Sequence, residues 1–305
     1  MTLPKFSRLV LLASLFLASC SKYSPEDDTT PPPNNTGGTE IPGDNDPILP
    51  GNPSGAVVNP IYSLNFLKNN TYYKLAYNDP RGISNWVAWH LQSEDIGTTP
   101  RQDDFRGDVG LPTGYYQVQT TSYNAVGFDR GHNCPSADRT TTVAANSSTF
   151  LMTNMIPQAP NMNQGPWEDL EDFIRNTLVA GNKEAYIVMG NMGSGGYSST
   201  GTLVTTIDAG KVTVPKKIWK VVLVIPKGNG DLARIDTSAT VLAVNMPNDN
   251  RIYTTSGSGR TAWRNYLTSV TALEADVNTY GDYGLDMFKN IPANIRTYLK
   301  SKIFN

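Results

Sequence analysis

Seven segments rich in β-branched and aromatic residues lie on both sides of one amphipathic stretch, and this order limits the fold more than any other feature of the chain. The segments cover residues 72–78, 86–92, 115–123, 148–154, 184–190, 211–226 and 239–247. Gly, Pro, Asn or Asp bound them, which predicts strands. Between the fourth and fifth lies "PWEDLEDFIRNTLVAG" (166–181), where Trp167, Leu170, Ile174 and Leu178 recur at helical spacing, Pro166 can open the helix and Gly181 can end it. Two further helices are expected at 261–278 and 293–303. Strands on both sides of the main helix predict an α+β fold, a single mixed domain with a central antiparallel sheet, in preference to two domains.

The first 55 residues stand apart from this pattern. Lys5 and Arg8 precede an apolar run from Leu9 to Leu17. That run is too short for a membrane span of ~20 residues, so 1–19 is expected to be a secretory signal. It ends in Leu17-Ala18-Ser19-Cys20, which resembles the bacterial lipoprotein box and implies cleavage before Cys20 and lipidation of its thiol. Residues 20–55 are rich in Pro, Gly, Asn and acids and poor in apolar side chains, the composition of a flexible tether. Glu26, Asp27 and Asp28 resemble the export tags of surface lipoproteins in certain Gram-negative bacteria; chance acidity in a linker explains them equally well. The expectation is an exported lipoprotein anchored at Cys20, on the outer membrane or cell surface or on its periplasmic face, with residues 56–305 as the folded domain. With Cys20 acylated, Cys134 has no partner in the chain, and the domain must be stable without a disulfide.

The whole chain carries 25 basic and 27 acidic residues. Residues 56–305 alone hold 22 basic and 21 acidic, so an anionic substrate would have to be gripped by locally placed arginines, with little long-range steering.

The chain has two histidines. His90 sits in the alternating strand "WVAWHLQ" and fits a structural role. His132 lies in the polar, turn-rich stretch "FDRGHNCPSADRT" beside arginines and aspartates, where proton transfer or metal binding is in question. A closed zinc site is disfavoured, because the four Cys and His residues include one cysteine expected to be acylated. A Cys134-dependent hydrolase using either histidine stays open, as does the plain reading of Cys134 as a small buried residue. A general base beside a hard cation needs oxygen donors, and "TNMIPQAPNMNQGPWEDLED" (153–172) supplies them.

"DRGH" (129–132), "TNMIPQ" (153–158) and "NQGPWEDLED" (163–172), with "RQDDFRGD" (101–108), "PSADRT" (135–140), "VTVPKKIWKVV" (212–222) and "VLAVNMPND" (241–249), resemble in order the DNA/RNA non-specific endonuclease family of the ββα-metal class, in particular its cyanobacterial secreted members and mitochondrial endonuclease G. The likeness covers about residues 60–290. It implies His132 as general base, Asn163 as the direct ligand of a divalent ion (Mg2+, with Mn2+ possible), and Glu171 as a carboxylate acting through metal-bound water. Arg101 and Arg130 match arginines that bind the phosphate, and Asn154 an asparagine that supports the site. Arg106 and Arg139 are lesser candidates for substrate contact, and Asp129 is read as structural. Where relatives carry a small residue, this chain has Cys134, which raises the expectation of thiol-sensitive activity.

The chemistry suits those residues. A neutral imidazole can take a proton from water near neutral pH, and an arginine fork grips two phosphate oxygens without acting as a base. On one helix, Asn163 and Glu171 would be separated by ~12 Å of rise and about 80° of rotation, so they cannot both ligate one ion directly. One amide ligand leaves Mg2+ mostly hydrated, with Glu171 orienting a bound water. The resemblance implies cleavage of DNA and RNA to 5′-phosphate and 3′-hydroxyl ends. The rival reading is a surface lipoprotein that binds nucleic acid or glycan without cutting it.

Overall fold

In the computed structural model, residues 43–124 and 127–305 are described; the signal segment, Cys20 and the tether as far as residue 42 lie outside them. A fully antiparallel seven-stranded sheet forms the centre, in the order Phe66–Asn69, Lys74–Asn78, Ile83–Gln92, Lys183–Met192, Lys217–Pro226, Thr240–Pro247 and Leu267–Thr268. Its three middle strands are buried on both faces and therefore read as long apolar runs. One face, with Trp89, Ile187 and Val222, packs under the helix that starts at Pro160. The other, with Trp86, Val188 and Val221, packs under the helices Val270–Tyr280 and Ala293–Ser301.

The expected strands at 72–78, 86–92, 184–190 and 239–247 are present with small shifts of boundary. Residues 211–226 form two pieces, because Pro215 interrupts them: Val212–Thr213 pairs with Thr206–Ile207, and only Lys217–Pro226 joins the main sheet. Two expected strands are absent. In 115–123 the aromatic residues pack singly, with Tyr115 on Phe66 and Tyr77, and the chain closes in the short 3-10 turn Thr120–Tyr123. In 148–154 the helix Val143–Ser148 runs into the turn Met152–Asn154, because Ser148, Thr149 and Asn154 spend their side chains on local backbone groups.

The expected helix 261–278 is divided. A 3-10 stretch, Gly257–Tyr266, leads to the edge strand Leu267–Thr268, and the α-helix begins only where Ser269 Oγ accepts from the Ala272 amide. Residues 43–55, assigned by composition to the tether, pack against the domain. Leu49 is buried, its carbonyl accepts from Asn290 Nδ2 at 2.9 Å, Lys74 pairs with Asp46 at 2.6 Å, and Trp86 Nε1 donates to Ser54 Oγ at 2.8 Å. The few anchoring side chains of this stretch are diluted in its Pro- and Gly-rich average.

Candidate active site

Asp129–His132 pairs antiparallel with Met155–Gln158, setting His132 opposite Met155 and Gly131 opposite Ile156. Only glycine fits at 131, since a Cβ there would lie 2.2 Å from Gln158 Oε1. Helical residues follow at once, Pro160–Met162, Asn163–Trp167, Glu168–Phe173 and Ile174–Leu178, which completes a ββα unit. The helix thus starts earlier than its periodicity suggests. At Gly165 the backbone leaves helical geometry (φ −119°, ψ −106°), and a Cβ there would meet the Thr254 carbonyl at 2.6 Å. Trp167, Leu170, Ile174 and Leu178 bury the face predicted for them.

This unit and the loops beside it enclose an open, polar cleft of about 330 Å3, lined among others by Arg101, Arg130, His132, Asn163, Glu171 and Arg175. Five residues proposed from sequence are therefore brought together. The His132 ring is edge-on to Phe105 and Phe150, with centroids at 5.7 and 5.0 Å. Arg130 stacks over Phe105 at 4.2 Å and Arg101 over Phe150 at 4.8 Å, so the same two rings seat the imidazole and both guanidiniums. Arg101 is further held by Asp103 and by Ser136 Oγ. Burial, then the charges of Arg101 and Arg130, push His132 down to about 3, so its imidazole is neutral at physiological pH. His132 Nε2 is buried with no partner among the described residues.

On the facing helix, Asn163 Nδ2 donates to Asp129 Oδ2 at 2.9 Å, and Gln164 Nε2 donates to the same oxygen at 2.8 Å. That bond fixes the amide with its nitrogen toward Asp129, leaving Oδ1 as the end free to bind a cation. Asp129, read from the sequence as structural, orients both amides. Glu171 accepts at Oε1 from Lys220 Nζ at 3.0 Å, and burial raises its carboxyl while Lys220 opposes the rise. The donor set of Asn163 Oδ1 and the Glu171 carboxylate is all oxygen and fits a hard divalent ion.

Two arginines are placed differently from expectation, and Asn154 supports the site from outside the cleft. Asn154 is wholly buried, bonding the backbone of Cys134 in both directions and the Thr149 carbonyl; it braces the chain beyond His132 and does not line the cleft. Arg139 is buried and committed to the carbonyls of Tyr72, Asp138 and His90, which leaves no fork for a phosphate. Arg106 lies outside the cleft, tied to Asp104 and the Ser147 carbonyl. Cys134 is fully buried and its thiol is pushed up to about 12, chiefly by burial, so the structure removes the basis for a reactive thiol or a cysteine nucleophile.

Motif and spacing do not single out Phe105, Phe150, Arg175 or Lys220, yet all four shape the site. Arg175 closes one wall through Asp138 (3.1 Å) and Asp172 (3.2 Å). The one signal that could have found Lys220 is its place as a lysine at an inward position of a strand apolar on both faces.

A second group of possible ligands, His90, Glu184 and Asp231, is buried with its donor atoms within 4.8 Å of one another. Arg234 Nη2 already bridges the two carboxylates, and the Tyr186 hydroxyl donates to Asp231, so this group carries its own cation.

A cleft with an imidazole, arginines and an oxygen donor pair on a ββα unit defines a hydrolase of the phosphodiester-cleaving kind. The DNA/RNA non-specific endonuclease family model matches residues 50–294, and the chain belongs to that family. It is 42% identical over 258 residues to a nuclease of Nostoc sp. (strain PCC 7120), covering 85% of this chain and 86% of that one. It is 32% identical over 126 residues to human mitochondrial endonuclease G, covering 41% and 42% respectively. The fold is similar to that of a solved EndoG in complex with EndoGI, with a TM-score of 0.62 and 21% identity over 81% of this chain and 92% of that one. The chain is an endonuclease.

Proposed function

We propose that the cleft hydrolyses phosphodiester bonds in both DNA and RNA, dependent on a divalent cation and with His132 as the general base. The observation that carries this reading is the juxtaposition, in one open cleft, of a neutral imidazole between two guanidiniums and an oxygen-only donor pair. Arg101 and Arg130 grip the phosphate and balance the charge that builds on its equatorial oxygens. Nε2 of His132 is sealed off, so Nδ1 accepts the proton of the attacking water. Phosphate binding offsets the two guanidinium charges and strengthens the base at the moment it is needed. Asn163 Oδ1 would hold the ion directly and Glu171 would orient one of its waters; Mg2+ suits the set, and Mn2+ shares its ligand preference. When bound, the cation supplies charge stabilisation for the leaving 3′ oxygen. With water as nucleophile, the sugar 2′-hydroxyl takes no part, which supports action on both polymers and products ending in 5′-phosphate and 3′-hydroxyl.

The test is degradation of plasmid DNA and single-stranded RNA by the purified chain in Mg2+, in Mn2+ and in excess EDTA, with nicked plasmid offered to DNA ligase. Cleavage of both polymers only with metal, and nicks that ligase seals, support the reading. Nucleic acid bound but never cut would overturn it in favour of a binding protein.

The reading extends to an exported, membrane-anchored form lipidated at Cys20. Palmitate labelling that survives in Cys20→Ala would overturn that part.

A further inference from the structure

We infer that Lys220 is a positioning residue for Glu171, an ammonium set beneath the cleft floor that locks the carboxylate in its working orientation. The inference rests on the metal-dependent nuclease reading and deepens it.

Lys220 lies in the middle of Lys217–Pro226, the third strand in from the Leu267–Thr268 edge of the sheet. Its side chain shares a face with Ile218 and Val222, the face that packs under the catalytic helix, and it is 0% exposed. Burying a lysine ammonium at such a place carries a desolvation cost that only a close partner offsets. Glu171 is the only carboxylate within 4 Å of Nζ among the described residues, with Oε1 at 3.0 Å.

The stem and head of Lys220 are also confined. Nζ lies 4.7 Å from the ring centre of Trp167 and 5.4 Å from that of Trp89. Trp167 precedes Glu171 by four residues on the same helix, so one ammonium contacts two successive turns of that helix from the sheet below. The neighbouring Arg175 adds a weaker charge effect on Glu171 but makes no bond to its carboxylate, its guanidinium being bonded to Asp138, Asp172 and the Glu171 carbonyl. With Oε1 taken by Lys220, Oε2 is left for the cleft that Glu171 lines. Removing one partner of a buried ion pair leaves the other charge unpaired, so Lys220→Met alone is expected to lower the melting temperature, whereas adding Glu171→Gln removes that unpaired charge. A positioning role predicts, beyond that loss of stability, a damaged site in a chain still folded at the assay temperature.

The experiment compares the full chain as wild type, Lys220→Met, Glu171→Gln and the double variant. It measures thermal melting, Mn2+ binding by calorimetry without substrate, and kcat and KM on DNA at saturating Mg2+. Lys220→Met should melt below wild type yet stay folded at the assay temperature, bind Mn2+ about tenfold more weakly and lose about 10- to 100-fold in kcat, the usual cost of removing an outer-shell partner, with KM little changed. The double variant should be no worse than Glu171→Gln alone. Wild-type kcat in Lys220→Met, or losses that multiply in the double variant, would overturn the inference. Should Lys220→Met fail to fold, Lys220→Gln, which keeps a neutral donor, is expected to fold and show the same kcat loss; full activity there overturns the inference equally. If wild type binds Mn2+ but cuts nothing, the nuclease reading falls on its own, and equal Mn2+ affinity in wild type and Lys220→Met still refutes the role of Lys220.

Discussion

His132 and His90 share much of their physics. Both pack against aromatic rings, and burial lowers both, His132 to about 3 and His90 to about 4. Their charged neighbours differ. His132 lies on an open cleft between two guanidiniums, a positive field able to draw in an anion. His90 faces Glu184 at 3.4 Å, beside an Asp231 that Arg234 already neutralises, so the charges around it are paired with one another. Desolvation makes a histidine neutral; the charges around it decide whether that neutrality is used.

The largest effect expected from this contrast is catalytic. His132→Ala should cut the rate by about 10²–10⁴-fold, the range for losing a general base, while His90→Gln should cleave DNA at close to the wild-type rate. A plasmid-nicking assay on both variants checks it, and comparable losses would erase the distinction.

Next is the field itself. The acid limb of kcat/KM should lie well below 6.5, because the free enzyme holds His132 neutral down to about 3. Arg130→Ala removes a nearby positive charge, so His132 should rise toward 6.5 and the limb should move up in pH, alongside a rate loss of about 10²-fold for one lost charge-stabilising donor. An unmoved limb would show that the guanidinium charge does not act on the base.

His90 should reveal itself in stability. Its folded value of about 4 lies below the ordinary 6.5, so below pH 6.5 the unfolded chain binds the proton more readily. Stability present above 6.5 is then lost as pH falls toward 4. His90→Gln should flatten that part of a melting-temperature profile, and an unchanged slope would count against it.

The smallest effect concerns Cys134. Buried and held near 12, it should resist alkylation in the native state, and peroxide should inactivate wild type and Cys134→Ala alike. Selective loss of wild-type activity would mean that the thiol near His132 is accessible after all.

Much of the site is legible in the amino-acid sequence. DRGH, Asn163 and Glu171 stand out as an ordered set through the family resemblance, whereas Asn163 and Glu171 taken singly read as ordinary residues of a helix N-terminus. Arg139 and Asn154 stand out for the same reason but are structural, because a buried carbonyl attracts an arginine or an amide as strongly as a phosphate or a metal does. The aromatic seats Phe105 and Phe150 are hidden for the opposite reason: an aromatic in a polar loop does not announce which ring it will face. The lost strands at 115–123 and 148–154 show local side-chain hydrogen bonds overriding β-propensity.

By itself the sequence determined most of the apolar strand segments and the turns that bound them, the buried stripe of the main helix and the residue types able to hydrolyse a phosphodiester, because these depend on local spacing and intrinsic chemistry. Only the tertiary structure decided which of two histidines sits beside two arginines, which arginine is spent on buried carbonyls, and that Lys220 from the middle of the sheet meets Glu171 from the helix above it. Burial and pairing depend on partners distant in the chain, 49 residues apart in that last case, and the spacing of neighbouring residues does not carry them.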